Sequence, residues 1–216
     1  MMIKWTMILL VGVALSGCNS TETGAQSSDA RAKASPATEI APSTPTPAAV
    51  ATSDSDILTS EGWGPLRIGM TRAEIEAALG PDANPDAVGG PDPEQCEQFR
   101  PVRAPEGMLL MLEDQKLARI SLSGNRDIKT PQGFGVGDSA ARIKQALGSR
   151  IEIEPHKYAD APAEYLTFWN GAAAKGDRDY VDDPAARGIR YEINPDGTVG
   201  IVHAGNDAIQ YVEGCL

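Results

Sequence analysis

Basic residues, histidine, cysteine and aromatics are all scarce in this chain of 216 residues. Lys and Arg number 19 against 30 Asp and Glu, a formal charge of −11. A phosphate-binding face needs clustered cations, so this balance argues against a nucleic-acid partner. His156 and His203 are the only histidines, and neither stands in a ligand spacing. Of the serines beyond residue 57, none lies in a Gly-x-Ser-x-Gly elbow, and no Gly-rich loop opens a helix after a strand. Carboxylates are abundant, but abundance alone assigns no acid/base pair. No catalytic residue, metal or cofactor is therefore expected. Long apolar runs are missing too, and none reaches the roughly 20 residues that a bilayer crossing requires.

What is present begins with a short positive start, Met1 to Lys4, and an apolar stretch from Trp5 to Leu15. Leu15-Ser16-Gly17-Cys18 closes it, so residues 1–17 read as an export signal. The tetrapeptide resembles the lipobox of bacterial lipoproteins, which implies that Cys18 is acylated and becomes the first mature residue. The alternative is an ordinary signal peptide with a chance Cys. More than one acyl chain gives stable anchoring, so the resemblance implies membrane attachment through Cys18. Asn19 follows, where the inner-membrane retention signal carries Asp, which favours an outer-membrane address facing the periplasm. Residues 18–56 are rich in Ala, Ser, Thr and Pro, with Ile40 and Val50 the only large apolar side chains. Such a composition cannot offset the entropy of ordering, and a disordered tether with a reach on the order of 35 Å is expected.

Beyond the tether, Leu66 to Gly80 aligns with Phe134 to Gly148 at an offset of 68. Gly69/Gly137, Ala73/Ala141, Ile75/Ile143, Ala78/Ala146, Leu79/Leu147 and Gly80/Gly148 are identical. Thr71 and Ser139 are N-cap types, and Glu74 completes a capping box in the first segment only. Ile75, Ala78 and Leu79 make one apolar helical face, and each Gly ends its helix. Two short helices that converged on standard caps are the alternative to duplication. Each segment is followed by strands. Met108–Leu112 and Leu117–Leu122 form an expected hairpin with Ala118, Ile120 and Leu122 on one face. Tyr165–Trp169, Ile189–Ile193, Val199–Ala204 and Ile209–Val212 follow the second helix, with a turn at Asn194-Pro195-Asp196-Gly197. The expected fold is α+β, with tandem repeats at 57–128 and 129–216.

The string Ile68-Gly69-Met70-Thr71-x-x-Glu74-Ile75-x-x-x-Leu79-Gly80-Pro81 resembles the signature of the BamE (SmpA/OmlA) outer-membrane lipoprotein family. Its occurrence twice is similar to the tandem architecture of the β-lactamase inhibitor proteins. The resemblance implies short helices packed on antiparallel sheet, and it carries over no binding residue. In the second segment Asp138 replaces Met70 and Arg142 replaces Glu74.

With Cys18 acylated, Cys96 and Cys215 remain as an even pair, read as a structural disulfide over free thiols or a redox couple. Asp177, Asp179, Asp182 and Asp183 form the densest acidic run of the domain. A calcium loop would need an oxygen ligand at Val181, so the run is either a solvated loop or an acidic finger that docks into a basic cleft. Trp63, Phe134, Phe168 and Trp169 are expected in the core. His203, in a strand, is expected to be structural, and His156, in a polar segment, exposed. These readings lead to a lipid-anchored, non-catalytic binding or scaffold module of the cell envelope with a protein partner. An inhibitor of a periplasmic or cell-wall hydrolase is the alternative, and a carbohydrate-binding or enzymatic domain a weaker one.

Overall fold

The computed structural model describes residues 57–87, 89–171 and 180–215. Cys18, the export segment, the tether, Asp177 and Asp179 lie outside the described residues. A small two-stranded sheet, β1 (Gly62–Trp63) and β2 (Leu66–Arg67), precedes helix α1 (Arg72–Leu79). Strands β3 (Cys96–Phe99), β4 (Met108–Glu113) and β5 (Lys116–Ser123) follow, then helix α2 (Ala140–Leu147) with a 3-10 turn at Gly148–Arg150. The chain ends with β6 (Ile151–Pro155), β7 (Glu164–Trp169), β8 (Gly188–Ile193), β9 (Val199–Gly205) and a 3-10 turn at Asp207–Gln210. The seven later strands form one antiparallel sheet in the order β3-β4-β5-β9-β8-β7-β6. The fold is α+β.

One face of that sheet is apolar. Leu110, Ile120, Leu122, Leu166, Tyr191 and Val202 share a core with Ile75 and Leu79 of α1 and Ile143 and Leu147 of α2. Each fully buried aliphatic side chain contributes roughly 1.5–3 kcal/mol. The Tyr191 hydroxyl, which this core would otherwise orphan, meets Thr130 Oγ1 at 2.7 Å. Trp63 and Phe168 pack against the core, and Phe134 lies within it. Trp169 instead joins Val181 and Ile209 in a separate small cluster.

Both helices start by docking onto a β-hairpin in the same way. Gly69 N–H donates to Leu117 O at 2.7 Å, and Leu117 N–H returns to Met70 O at 2.7 Å. Gly137 N–H donates to Val199 O at 2.8 Å, and Val199 N–H to Asp138 O at 2.9 Å. The residue after each of these strand anchors is a bulge. Leu112 faces Leu117 while Met111 faces Arg119, so Ala118 is extra; Ile193 faces Val199 while Glu192 faces Ile201, so Gly200 is extra. A bulge inverts the face of everything before it. Leu117 therefore joins Ile120 and Leu122 in the core, and Ala118 turns to the opposite face with Met111, contrary to the simple alternation expected for that strand.

The caps differ. Thr71 Oγ1 accepts from Glu74 N–H at 3.4 Å, and Glu74 Oε2 accepts from Thr71 N–H at 2.8 Å, closing the expected box. Ser139 makes no side-chain cap bond, and Arg142, standing where Glu74 does in the first helix, offers no carboxylate for the return bond of a box. Gly80 and Gly148 take φ of 84° and 55° and donate back to Glu76 O and Lys144 O. A positive φ there is the conformation that a side chain would strain.

The expected last strand at Ile209–Val212 is replaced by the 3-10 turn at Asp207–Gln210. Asn206 Oδ1 accepts from Ala208 N–H at 3.0 Å and starts that turn, which diverts the chain across the polar face of the sheet. Ala208 and Cys215 cover Met111 and Ala118 there. Cys96 and Cys215 lie at disulfide distance, with sulfurs 2.08 Å apart, and hold the end of this strap against β3.

Candidate functional site

The sheet face away from the helices carries the polar residues of the interior. Ser121 of β5, His203 of β9 and Arg190 of β8 stand side by side in register, and Glu192 lies one step along β8. Ser121 Oγ meets His203 Nδ1 at 2.8 Å, and His203 Nε2 meets Glu192 Oε2 at 3.4 Å. His156 approaches the other oxygen, Nε2 to Oε1 at 3.3 Å, while its Nδ1 accepts from Tyr158 N–H and Ala159 N–H, both at 3.1 Å. An acceptor Nδ1 places the proton of neutral His156 on Nε2, so Glu192 receives a donor there. His156 is thus turned inward and stacked on Tyr165, not exposed as expected from its polar segment. Arg190 lies over the Tyr165 ring at 4.0 Å and reaches Glu154 Oε2 at 3.0 Å.

Burial governs the charges of this network. Desolvation pushes the His203 imidazole down to about 4, further depressed by Arg119 and Arg190, so it is neutral at pH 7. The hydrogen bond from His203 holds Glu192 below the usual carboxylate range. Arg119 is lowered to about 10 by burial and directs Nη1 to Ala208 O at 3.1 Å and Tyr211 O at 2.7 Å, fixing the strap. The order Ser121–His203–Glu192 is that of a nucleophile, base and orienting acid. Its surroundings do not suit acyl transfer. Ser121 is 7 % exposed. Ser123 N–H bonds Gly107 O, so by alternation the Ser121 amide is spent on β4 and is not offered to an oxyanion. A base near 4 is also far below the pH at which it would share a proton efficiently. The network pins β5, β8 and β9 together.

One accessible feature is a groove beside the strap; a larger cavity of about 840 Å³ lies by Arg100, Val102, Glu106 and Arg126. A cavity of about 660 Å³ lies between the loop before α1, the β4–β5 turn and the strap, lined by Glu113, Asp114, Lys116, Asp182, Arg187 and Asp207 among others. A second, of about 430 Å³, shares Gln95, Cys96, Glu113 and Tyr211 with it. Among the charged lining residues, the carboxylates Glu113, Asp114, Asp182 and Asp207 outnumber the cations Lys116 and Arg187. Burial raises Glu113, and Asp207 and Asp114 raise it further against the Tyr211 hydrogen bond. Burial likewise raises Asp207, with Asp182 and Asp183 adding to it. Tyr211 is pushed up to about 12 by burial and by the charges of Glu113 and Asp207. Negative charge in the groove is thus incompletely neutralised by Lys116 and Arg187, and Arg187 is partly engaged by Glu61 at 3.3 Å.

The acidic run reaches this groove in part. Asp182 lines it. Asp183 is tied to its own turn, Oδ1 accepting from Ala185 N–H at 2.8 Å, while its N–H donates to Asp207 Oδ2 at 3.0 Å. Gln210 clamps the same loop through Val181, accepting from its N–H at 3.0 Å and donating to its carbonyl at 2.9 Å. Glu113, Asp207 and Tyr211 escaped the sequence reading because they come from a hairpin turn and a strap far apart in the chain. The one signal was the Cys96/Cys215 pair, which already implied that the C-terminus lies beside β3. Comparison with family models, with curated proteins and with solved structures finds no match for this chain.

Proposed function

We propose that this chain is a lipid-anchored, non-catalytic binding module of the cell envelope, held through Cys18 and carrying its domain on the 18–56 tether. The domain is read as two tandem BamE-like repeats sharing one sheet. That reading is supported by the paired docking of Gly69-Met70 on Leu117 and Gly137-Asp138 on Val199, each followed by a bulge, at Ala118 and Gly200. It is also supported by the central pairing of β5 with β9, where Ser121 faces His203 at the same offset of 82 that separates Leu117 from Val199.

The observation that carries the binding function is the acidic groove along the strap, where burial raises Glu113 and Asp207, Asp207 adds to the rise at Glu113, and Asp182 and Asp183 add to that at Asp207. A Lys or Arg side chain entering it would relieve that repulsion, so the partner presents a cationic segment. The partner is an envelope protein, and the outer membrane facing the periplasm is the favoured address. Asp182 in the lining favours a second reading, an inhibitor that places this groove over a basic feature of a hydrolase.

The test is crosslinking of the full-length chain in its own envelope, followed by mass spectrometry, with wild type beside a Glu113→Gln, Asp182→Asn, Asp207→Asn triple variant. A partner recovered by wild type and lost by the variant is expected. Recovery of the same set by both would overturn the groove, and a Cys18→Ser chain that stays with the membrane would overturn the anchor.

A further inference from the structure

Arginine side chains in this protein are bound to something almost everywhere, as Arg103 is to Ala78 O at 3.0 Å and Arg190 to Glu154 Oε2 at 3.0 Å. Of the ten arginines among the described residues, Arg100 and Arg126 alone make no side-chain hydrogen bond, ion pair or ring contact. Both line the cavity of about 840 Å³. It sits at the open end of the β4–β5 hairpin, whereas the acidic groove lies at the turn of that hairpin. Backbone bonds fix its walls. Val102 N–H donates to Pro81 O at 2.9 Å and Ala83 N–H to Arg100 O at 2.7 Å, which ties the loop after β3 to the end of α1. Asn125 Oδ1 accepts from Asp127 N–H at 3.0 Å and Ile128 N–H at 3.3 Å, which holds the turn that carries Arg126. The Arg126 guanidinium is backed by Gly137, where a Cβ would stand 3.2 Å from Cζ. Met108 closes the cavity from the core side, and Val102, 53 % exposed, lines it as well. Each wall also carries an exposed carboxylate, Glu106 on one and Asp127 on the other, and among the described residues neither is paired with Arg100 or Arg126.

We propose that this cavity binds a short free peptide by its terminal carboxylate. Arg100 and Arg126 receive the carboxylate, because a guanidinium fork matches its two oxygens. Glu106 and Asp127 receive the terminal amine, and small apolar side chains of the peptide cover Val102 and Met108. The volume lies within the roughly 300–1,000 Å³ of small-ligand sites, and a few convergent charges on an apolar lining are what orients a ligand there. A ligand of both signs satisfies all four charges. A polyanion would satisfy the two arginines and be repelled by Glu106 and Asp127, so the carboxylates select against it.

This site is independent of the acidic groove, and the groove triple variant should bind the peptide as wild type does. The test titrates trialanine into the full-length chain in detergent and follows amide chemical shifts. Saturable shifts confined to residues 100–108 and 123–127 are expected. The C-terminal amide of trialanine should bind roughly tenfold more weakly, the worth of one charge-assisted hydrogen bond, and N-acetyl trialanine should also lose affinity. An Arg100→Gln, Arg126→Gln double variant should weaken trialanine by at least as much, and both side chains are exposed, so the fold does not depend on them. The comparison of acid with amide on wild type decides without any variant. No binding, equal binding of the acid and the amide or of the free and acetylated forms, or undiminished binding by the double variant would overturn the proposal. So would inorganic phosphate that shifts the same amides at the same concentration.

Discussion

The half of the sheet built on α1 and the half built on α2 use the same joints and finish differently. Each helix docks its entry loop on a hairpin strand, and each hairpin carries a bulge one residue later. The first half adds devices that hold it shut: a capping box at Thr71, an ion pair from Arg72 to Glu97 on β3, Gly89 laid along the edge, and a cysteine pair to the strap. The second half adds a strand instead, leaves Ser139 without a cap bond, and ends the strand order at β6. The lesson is that similar backbone joints can carry differently reinforced halves, and that side chains at the margin set the difference.

The largest effect should be the one the halves share. Ile75→Ala and Ile143→Ala each remove a fully buried side chain, and each should lower the unfolding free energy by about 2–5 kcal/mol in urea titrations. A loss in one helix far below the other would break the equivalence. Replacing Cys96 and Cys215 with Ser should cost about 2–4 kcal/mol and raise hydrogen exchange in β3 and the strap, with β6 unaffected. Uniform exchange gains across both halves would mean that the pair supports the whole sheet and not its first edge.

A third prediction concerns the centre, where the halves meet. His203 is held near 4 when folded against an ordinary value of 6.5, so the unfolded chain binds more protons between those limits. Stability is therefore complete above pH 6.5 and falls as the pH drops toward 4, by up to about 3 kcal/mol. Glu192 and Arg190 on β8 and Arg119 on β5 are the charged groups that face the imidazole. Urea midpoints for wild type and His203→Gln, measured from pH 7 to 4.5, should converge as the acid limit is approached. Parallel curves would remove His203 as the cause. The smallest effect sharpens the contrast most directly: Thr71→Ala should cost about 1 kcal/mol, and Ser139→Ala less than roughly half of that, since only Thr71 accepts from its helix.

Much of this fold was legible before any coordinates. Helix ends at Thr71/Gly80 and Ser139/Gly148 are written in cap residues, β5 and β8 in alternating apolar side chains, and β4, β7 and β9 in short apolar runs. What failed did so for local reasons. Strand β3, Cys-Glu-Gln-Phe, holds one buried apolar residue and no period, and the Asp207–Gln210 turn reads as a strand because Ile209, Tyr211 and Val212 have strand propensity. The bulge at Ala118 inverts a face without any change in composition. The polar network was invisible because Ser121, Glu192, His203 and His156 meet only through strand register, and register belongs to the assembled sheet. The groove was half visible: Asp182 stood out in the acidic run, whereas Glu113 and Asp207 acquire meaning from burial.

The joint between β5 and β9 also sets a timetable. Strand β5 ends at Ser123, yet the neighbour that covers its second edge begins at Val199. A chain emerging N-terminus first must carry Ile120 and Leu122 on an incomplete sheet while some 75 further residues are made. Pairings this distant close slowly, because loop entropy is lost before any contact compensates it. The first half therefore depends on the last strand to arrive, and a chain truncated before residue 199 would expose an unfinished edge that invites aggregation.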